Sequence, residues 1–116
     1  VKYGERSRID FLHDNGKCKT FVEVKSVTYA MDGVGYFPDA VSVRATKHLN
    51  ELIDVTAQGH KAVVVYCVQR NDVKSVLSAE HVDVNYSEAA KRASACGVSF
   101  VVLNLNYEVL SSRILA

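Results

Sequence analysis

The hydrophobic pattern of this chain first changes its period between Phe37 and Val43, and that change limits the folds open to it. Before the change, β-branched segments are separated by the turn signals Asp14-Asn15-Gly16 and Asp32-Gly33. Asn-Gly pairs readily adopt the positive φ that tight hairpins require. After the change, helical and strand patterns alternate. A β-meander followed by helix–strand units predicts an α/β domain with a mixed sheet, in which strands linked through helices run parallel.

The positions of the elements follow from residue type and spacing. Apolar residues at helical spacing predict a helix from Val43 to Gln58, which ends before Gly59. A second helix is predicted with Asn85 as its N-cap and Gly97 after its end. The predicted strands are Arg8 to His13, Thr20 to Tyr29, Val34 to Phe37, Lys61 to Gln69, Val98 to Leu105 and Tyr107 to Leu115, and the segment from Asp72 to Val84 is ambiguous.

Composition narrows the class of protein. A chain of 116 residues that is 48% hydrophobic, with a net charge of +1, fits a single domain over residues 1–116. Because the charge is balanced, any basic binding surface must be local. No apolar run reaches the roughly 20 residues that span a bilayer, so no membrane partner is expected. The three cysteines have no zinc-site spacing, which favours a reducing, cytoplasmic setting.

Two neighbouring strands bring polar residues to one face. Side chains alternate along a strand, so Glu23 and Lys25 share a face with Phe21. With a two-residue Asn15-Gly16 turn, Asp10 lies opposite Phe21 and diagonal to Glu23, at roughly 7 Å between backbones. A slip by two residues keeps Asp10 on that face. The polar face is predicted to be Arg8, Asp10, Glu23 and Lys25, and the core face to be Ile9, Phe11, Val22 and Val24.

Two carboxylates at this separation predict a divalent-metal site. Asp10 and Glu23 can share Mg²⁺ or Mn²⁺, which take oxygen ligands and keep several waters, and the Val24 carbonyl would add a ligand. Such a metal polarises a phosphoryl oxygen and lowers the pKa of a bound water. Lys25 would orient that water or neutralise charge on the phosphate. From spacing alone, a solvated strand face with a loosely paired Glu and Lys is the more common outcome.

Basic residues of the first predicted helix suggest a phosphate-binding face. Four polar side chains lie at i, i+3, i+4 and i+7 on that face: Arg44, Lys47, His48 and Glu51. The three basic residues are predicted to bind a phosphate backbone near the helix N-terminus, where the dipole favours anions. Gln69 and Arg70 end a buried strand, a position that often lines a site in α/β sheets. A solvated helix face and an ordinary strand exit are the alternatives.

Taken together, these residues resemble the PD-(D/E)xK nuclease superfamily. More specifically, they are similar to the sugar fermentation stimulation protein A (SfsA) family, over nearly the whole chain. The segments that carry this likeness are Tyr3-Gly4, Ser7-Arg8-Ile9-Asp10-Phe11, Glu23-Val24-Lys25-Ser26-Val27-Thr28, Phe37-Pro38-Asp39-Ala40, Lys47-His48-Leu49 and Gln69-Arg70.

The resemblance implies a restriction-endonuclease-like core, DNA as the partner, and a link to sugar, especially maltose, metabolism in bacteria. At matching positions it implies that Asp10 and Glu23 are metal ligands and that Lys25 is the catalytic-type lysine. The family also carries an N-terminal OB-like domain and a helix before the Asp strand. Both are absent from this chain, which starts at Val1, and we expect it to be a fragment. No proline precedes Asp10, whereas Pro38-Asp39 follows the Glu-x-Lys segment.

The function predicted from the sequence is that of a DNA-binding domain with a nuclease-type metal site and Mg²⁺-dependent phosphodiester hydrolysis. A non-catalytic DNA-binding regulator that kept the fold is one alternative. A protein-interaction module is another, because the strand predicted from Tyr107 to Leu115 would offer an edge for pairing with a second copy of the chain.

Overall fold

The computed structural model describes residues 10–104 and 109–111. Two helices and eight strands occur in this part of the chain: a run of four strands comes first, and each helix is then followed by two strands. The elements are β1 (Phe11–Asp14), β2 (Lys19–Val27), β3 (Tyr29–Met31), β4 (Val34–Phe37), α1 (Val43–Ala57), β5 (Lys61–Val68), β6 (Ser75–Ser78), α2 (Val84–Ala95), β7 (Ser99–Leu103) and β8 (Val109–Ser111).

The strands form two sheets. A five-stranded sheet has the order β1-β2-β5-β7-β8, and a three-stranded sheet has the order β3-β4-β6. The pairs β2–β5 and β5–β7 are parallel, whereas β1–β2 and β7–β8 are antiparallel. The predicted α/β class with a mixed sheet is therefore confirmed. The predicted strand from Thr20 to Tyr29 is divided, because the chain leaves the first sheet after Val27 and enters the second at Tyr29.

The β1–β2 hairpin has a longer loop than the sequence predicted. Leu12 pairs with Phe21 and Asp14 pairs with Lys19, so the pairing is shifted by two residues from that of a two-residue turn. The loop of residues 15–18 is held by the Asn15 side chain, whose Oδ1 accepts from the backbone N–H groups of residues 17 and 18 at 3.0 Å. This Asx-type bonding competes with a tight turn. A shift of two residues leaves every side chain on its predicted face.

Helix α1 forms as its sequence predicts. Ser42 is the N-cap and its Oγ accepts from the backbone N–H of Ala45 at 3.0 Å. The helix stops at a glycine, Gly59, whose φ of 89° is the left-handed conformation that ends helices. Its buried residues recur at spacings of three and four, which turns one stripe toward the sheet. They are Ala45, His48, Leu49, Leu52 and Val55.

The N-cap of helix α2 lies two residues before the predicted one. Asp83, not Asn85, caps the helix, and its Oδ1 accepts from the backbone N–H of Tyr86 at 3.0 Å. The other carboxylate oxygen of Asp83 accepts from the backbone N–H of Ser42 at 2.9 Å. One buried carboxylate therefore joins the starts of both helices, and this tertiary bond decides the cap.

Two other predictions concern the second half of the chain. The segment from Asp72 to Val84, which was ambiguous in the sequence, contains strand β6. The last predicted strand, Tyr107 to Leu115, is described only over β8.

The core lies between the helices and the inner face of the five-stranded sheet. It includes Val64, Tyr66, Phe100 and Val102 from the central strands, each at most 2% exposed. Tyr66 and Tyr86 are buried in this core and hydrogen-bond to each other through their hydroxyl groups. Neither helix of the described residues has the length and apolar character needed to cross a bilayer.

The cap assignment makes a stability prediction. Asp83→Ala removes the acceptor of two backbone N–H groups, so we expect the free energy of unfolding to fall by about 2 kcal/mol. Asn85→Ala should change it by less than about 0.5 kcal/mol, since Asn85 is exposed. Urea denaturation followed by circular dichroism measures both. Equal losses in the two variants would contradict the assignment of Asp83 as the cap.

The buried tyrosine pair makes a pH prediction. Burial raises the pKa of Tyr66 well above its ordinary value of 10.0, and burial also raises the pKa of Tyr86. The unfolded state therefore loses these protons first as the pH rises, so stability is present below about pH 10 and declines above it. Ultraviolet titration of the six tyrosines should show two that ionise only on unfolding. Ionisation of all six near pH 10 with the fold intact would refute this.

Candidate metal and phosphate site

The centre of the candidate site is a buried carboxylate on β2. Glu23 is 4% exposed and lies on the inner face of the sheet, between the core residues Phe21 and Val27 of the same strand. Its Oε1 accepts from Lys25 Nζ at 2.9 Å. A carboxylate at this depth is stable as an anion only when it is paired, so the ammonium compensates for much of the lost hydration.

The predicted core face of the strand pair is wrong. Phe11 is 63% exposed, Val22 and Val24 are half-buried, and Ile9 lies outside the described residues. The helices pack on the opposite face, which contains Phe21 and Glu23. The polar residues therefore point into the domain, because helix α1 supplies a partner that offsets the cost of burying Glu23.

Asp10 immediately precedes the neighbouring strand, β1. The β1–β2 register, continued by one residue, puts Asp10 across from Glu23. Asp10 is exposed, and its Oδ2 accepts from the backbone N–H of Val24 at 2.7 Å. This bond holds the Asp10 carboxylate against β2 at the Glu23-Val24-Lys25 segment. Of the residues that the sequence predicted as a site, Glu23 and Lys25 are in direct contact, and Asp10 is bonded to the backbone of the residue between them.

Helix α1 adds His48 to the cluster. Its Nδ1 lies 3.0 Å from Glu23 Oε1 and 3.3 Å from Lys25 Nζ, and the residue is 4% exposed. Burial lowers the pKa of His48 below its ordinary value of 6.5, and the charges of Lys25 and Arg44 lower it further, while Glu23 opposes the shift. The ring is therefore neutral near pH 7, and because carboxylate oxygens only accept, we assign its single N–H to Nδ1.

The other residues of the predicted phosphate-binding face differ in position. Arg44 is exposed one turn before His48, close enough for its charge to affect the His48 ring. Lys47 is about half exposed and pairs with Glu51 at 3.7 Å. His48 points inward, away from Lys47. The sequence pattern grouped the three basic residues on one face, but only Arg44 and Lys47 face solvent.

The predicted residues at the end of β5 lie apart from the cluster. Gln69 and Arg70 are exposed, and Arg70 makes two hydrogen bonds to Asp72, at 2.9 and 2.8 Å. The hydrogen bonds from Arg70 hold the pKa of the Asp72 carboxyl below its ordinary value. Among the hydrogen bonds of the described residues, none joins Gln69 or Arg70 to Asp10 or Glu23. Arg8 lies outside the described residues. A role for these three residues in binding DNA stays a prediction.

Sequence reasoning missed the tyrosines behind the site. Tyr66 pairs in register with Lys25, and the Tyr66 hydroxyl bonds that of Tyr86. The pKa of Tyr86 is raised mainly by burial, and the charge of Glu23 contributes to the shift. The tyrosine pair therefore lies near the Glu23 carboxylate, on its core side. A tyrosine inside an otherwise aliphatic strand was the available signal, because a buried hydroxyl needs a partner.

The fold and the site together define a class of protein. A mixed sheet with helices on its inner face, and an acid just before one strand that bonds the Glu-Val-Lys segment of the next, is the restriction-endonuclease-like α/β domain. The chain belongs to the SfsA family. Residues 1–110 match the family model for the sugar fermentation stimulation protein RE domain.

Known relatives support this assignment. The chain is 44% identical over 111 residues to the sugar fermentation stimulation protein homolog of Shewanella woodyi, covering 90% of the chain and 46% of that protein. It is 50% identical over 101 residues to the homolog of Idiomarina loihiensis, covering 85% of the chain and 43% of that protein. The chain thus spans about half the length of these relatives.

A solved structure has the same fold. The structure of Pyrococcus furiosus SfsA in complex with Ca²⁺ superimposes with a TM-score of 0.81 at 28% sequence identity. The match covers 98% of this chain and 51% of that one.

The buried ion pair makes a double-mutant prediction. Lys25→Met leaves the Glu23 carboxylate buried with fewer donors, so we expect the free energy of unfolding to fall by about 2 kcal/mol. Adding Glu23→Gln should recover part of that loss, because it removes the unpaired charge. The matched control is the exposed pair Glu80 and Lys91, 4.0 Å apart, whose coupling should stay below about 1 kcal/mol. Equal coupling energies from the two urea-denaturation cycles would contradict the burial argument.

Proposed function

We propose that this chain is the DNA-binding domain of an SfsA-type regulator, and that it hydrolyses phosphodiester bonds with Mg²⁺ or Mn²⁺. The observation that carries the proposal is the 2.7 Å bond from the Val24 backbone N–H to Asp10 Oδ2, which holds the Asp10 carboxylate at the residue between Glu23 and Lys25. Acid, acid and lysine are the groups that metal-assisted attack on a phosphodiester requires.

The donor set fits a hard divalent cation. Asp10 and Glu23 offer carboxylate oxygens, and the Val24 carbonyl offers a third oxygen. Within residues 10–104 and 109–111, no three His, Cys, Asp or Glu side chains group closely enough to hold a metal by themselves. Mg²⁺ is commonly held by one or two carboxylates with waters and substrate phosphates in the remaining positions. The Ca²⁺ complex of the Pyrococcus furiosus relative supports a site for a divalent cation in this chain too.

The chain's own residues would divide the chemistry between them. The bound metal would supply Lewis-acid activation of the phosphoryl oxygen and of the attacking water. Lys25, whose side chain is 16% exposed, would donate to the non-bridging phosphate oxygen on which negative charge grows. The oxygen of the water bonds to phosphorus and its proton passes to solvent. The bond from phosphorus to the leaving sugar oxygen breaks, and that oxygen takes a proton from solvent.

The exposed N-terminal part of α1 would bind the DNA backbone. Arg44 and Lys47 face solvent there, and Arg44 lies one turn from the cluster. With a net charge of only +1, the chain depends on such local groups for affinity. The OB-like domain that the family resemblance implies would extend this contact. We further propose that binding serves the regulation of sugar use, in keeping with the names of the relatives. The family resemblance extends this proposal to maltose in particular.

Plasmid nicking tests the catalytic part of this proposal. With the full-length protein and Mg²⁺ or Mn²⁺, we expect metal-dependent nicking that falls at least a hundredfold in Glu23→Gln and in Lys25→Met, since each removes a group of the cluster. Glu80→Gln and Lys91→Met change the exposed pair in the same chemical way and should leave nicking unchanged.

Two outcomes would contradict the catalytic proposal. Nicking that persists in both site variants would assign it to other residues or to a contaminant. DNA retention that weakens steeply with salt, without nicking in any metal, would favour the non-catalytic regulator. A gel shift with Arg44→Gln tests DNA binding separately from nicking. Loss of a phosphate contact should weaken binding to all DNA sequences alike.

A further inference from the structure

We propose that His48 is a positioning residue that holds the Glu23 carboxylate in the orientation a divalent cation requires and keeps it there when Lys25 moves away. The inference rests on the proposed metal site. It gives His48 a role different from the phosphate contact that its sequence position suggested. One oxygen atom, Glu23 Oε1, is in contact with both His48 and Lys25.

The two partners of that oxygen have different freedom. Lys25 is on the same strand as Glu23, and its flexible side chain is 16% exposed. His48 is fixed by helix α1, where it lies beside the core residues Leu49 and Leu52, and its side chain is 5% exposed. A short, buried ring on a packed helix has few alternative rotamers. Of the two donors, His48 is the one that the fold itself immobilises.

A cation at Glu23 would act on the two donors in opposite ways. The ammonium of Lys25 carries a full positive charge, and a divalent cation within a few ångströms of it raises its energy strongly in a site of low dielectric. An imidazole, unlike an ammonium group, can donate a hydrogen bond without carrying a net charge, so the His48 ring is tolerated beside a cation. With a cation at Glu23, the Lys25–Glu23 pair would be weaker, Lys25 would be available to the phosphate, and His48 would still donate to Glu23 through Nδ1–H.

The hydrogen bond from His48 to Glu23 is of the kind that generally supports carboxylate ligands in metal sites. Hydrogen bonds from neighbouring groups fix the orientation of a ligating carboxylate, and their loss typically lowers metal affinity or activity by 10- to 100-fold. His48 reaches Glu23 from a different element of the fold, helix α1, and its Nδ1 lies 3.0 Å from Glu23 Oε1. Replacing His48 should therefore weaken metal binding, although His48 is not itself a metal ligand.

Calorimetric titration of the full-length protein with Ca²⁺ tests the inference. His48→Leu removes the N–H and should weaken Ca²⁺ binding at least tenfold. His48→Asn places an amide N–H close to the position of Nδ1 and should stay within about threefold of wild type. Val55→Ala, on the same buried stripe of α1 but away from Glu23, controls for lost stability and should bind Ca²⁺ normally.

Lys25→Met tests the order of events. Because the ammonium competes with the cation for Glu23, this variant should bind Ca²⁺ at least as tightly as wild type. His48→Leu introduced into Lys25→Met should still cost about tenfold, since His48 acts after Lys25 has left.

Each failure has its own signature. A wild-type protein that binds no Ca²⁺ would overturn the proposed metal site and this inference with it. Ca²⁺ binding that is equal in wild type and His48→Leu would overturn the inference alone. Equal losses in His48→Leu and His48→Asn would also overturn it, because the hydrogen-bond donor would then not be what matters.

Discussion

The structure depends on keeping one carboxylate charged inside the domain. Glu23 lies on the inner face of β2 with the core on both sides of it along the strand, and an unpaired anion there would cost several kcal/mol. Lys25 and His48 meet the same oxygen, so the strand and helix α1 are held in one relative position. The packing of α1 against the sheet and the geometry of the candidate site therefore share a single cause. The Glu23 carboxylate is costly to bury, and its hydrogen bonds fix the position of helix α1 relative to strand β2.

The surrounding fold supports this arrangement from three directions. Asp83 joins the starts of α1 and α2 through its two carboxylate oxygens, which fixes where α1 begins. The hydroxyl pair of Tyr66 and Tyr86 lies behind Glu23 and fills the core with groups that satisfy each other. Asp10, at the edge, closes the cluster by accepting from the Val24 backbone. Polar residues therefore extend from the exposed Asp10 to the buried tyrosines, and Glu23 has hydrogen-bond partners between them. Such supporting contacts hold a site in its working geometry.

Much of the local structure could be predicted from the sequence because it depends on neighbours in the chain. The span of α1 follows from its apolar spacing and from Gly59, and strand β4 has the predicted bounds. The two-residue slip of the hairpin did not harm the site prediction, since side-chain parity repeats every two residues. The division of the meander between two sheets, the Asp83 cap and the inward direction of Glu23 could not be predicted. Each depends on residues distant in sequence.

Residue types and their spacing alone determined which chemistry is available: two acids, a lysine, and strand parity that lets them meet. They also determined the α/β class, because hydrophobic period and glycine positions are properties of short segments. Only the tertiary structure decided which face of β2 is buried. A strand carrying Phe21 and Glu23 on one side and Val22 and Val24 on the other is consistent with either face inside. The choice was made by α1, which brings apolar residues and the ring of His48 to the side of Glu23, so that the carboxylate is buried with its hydrogen bonds already in place.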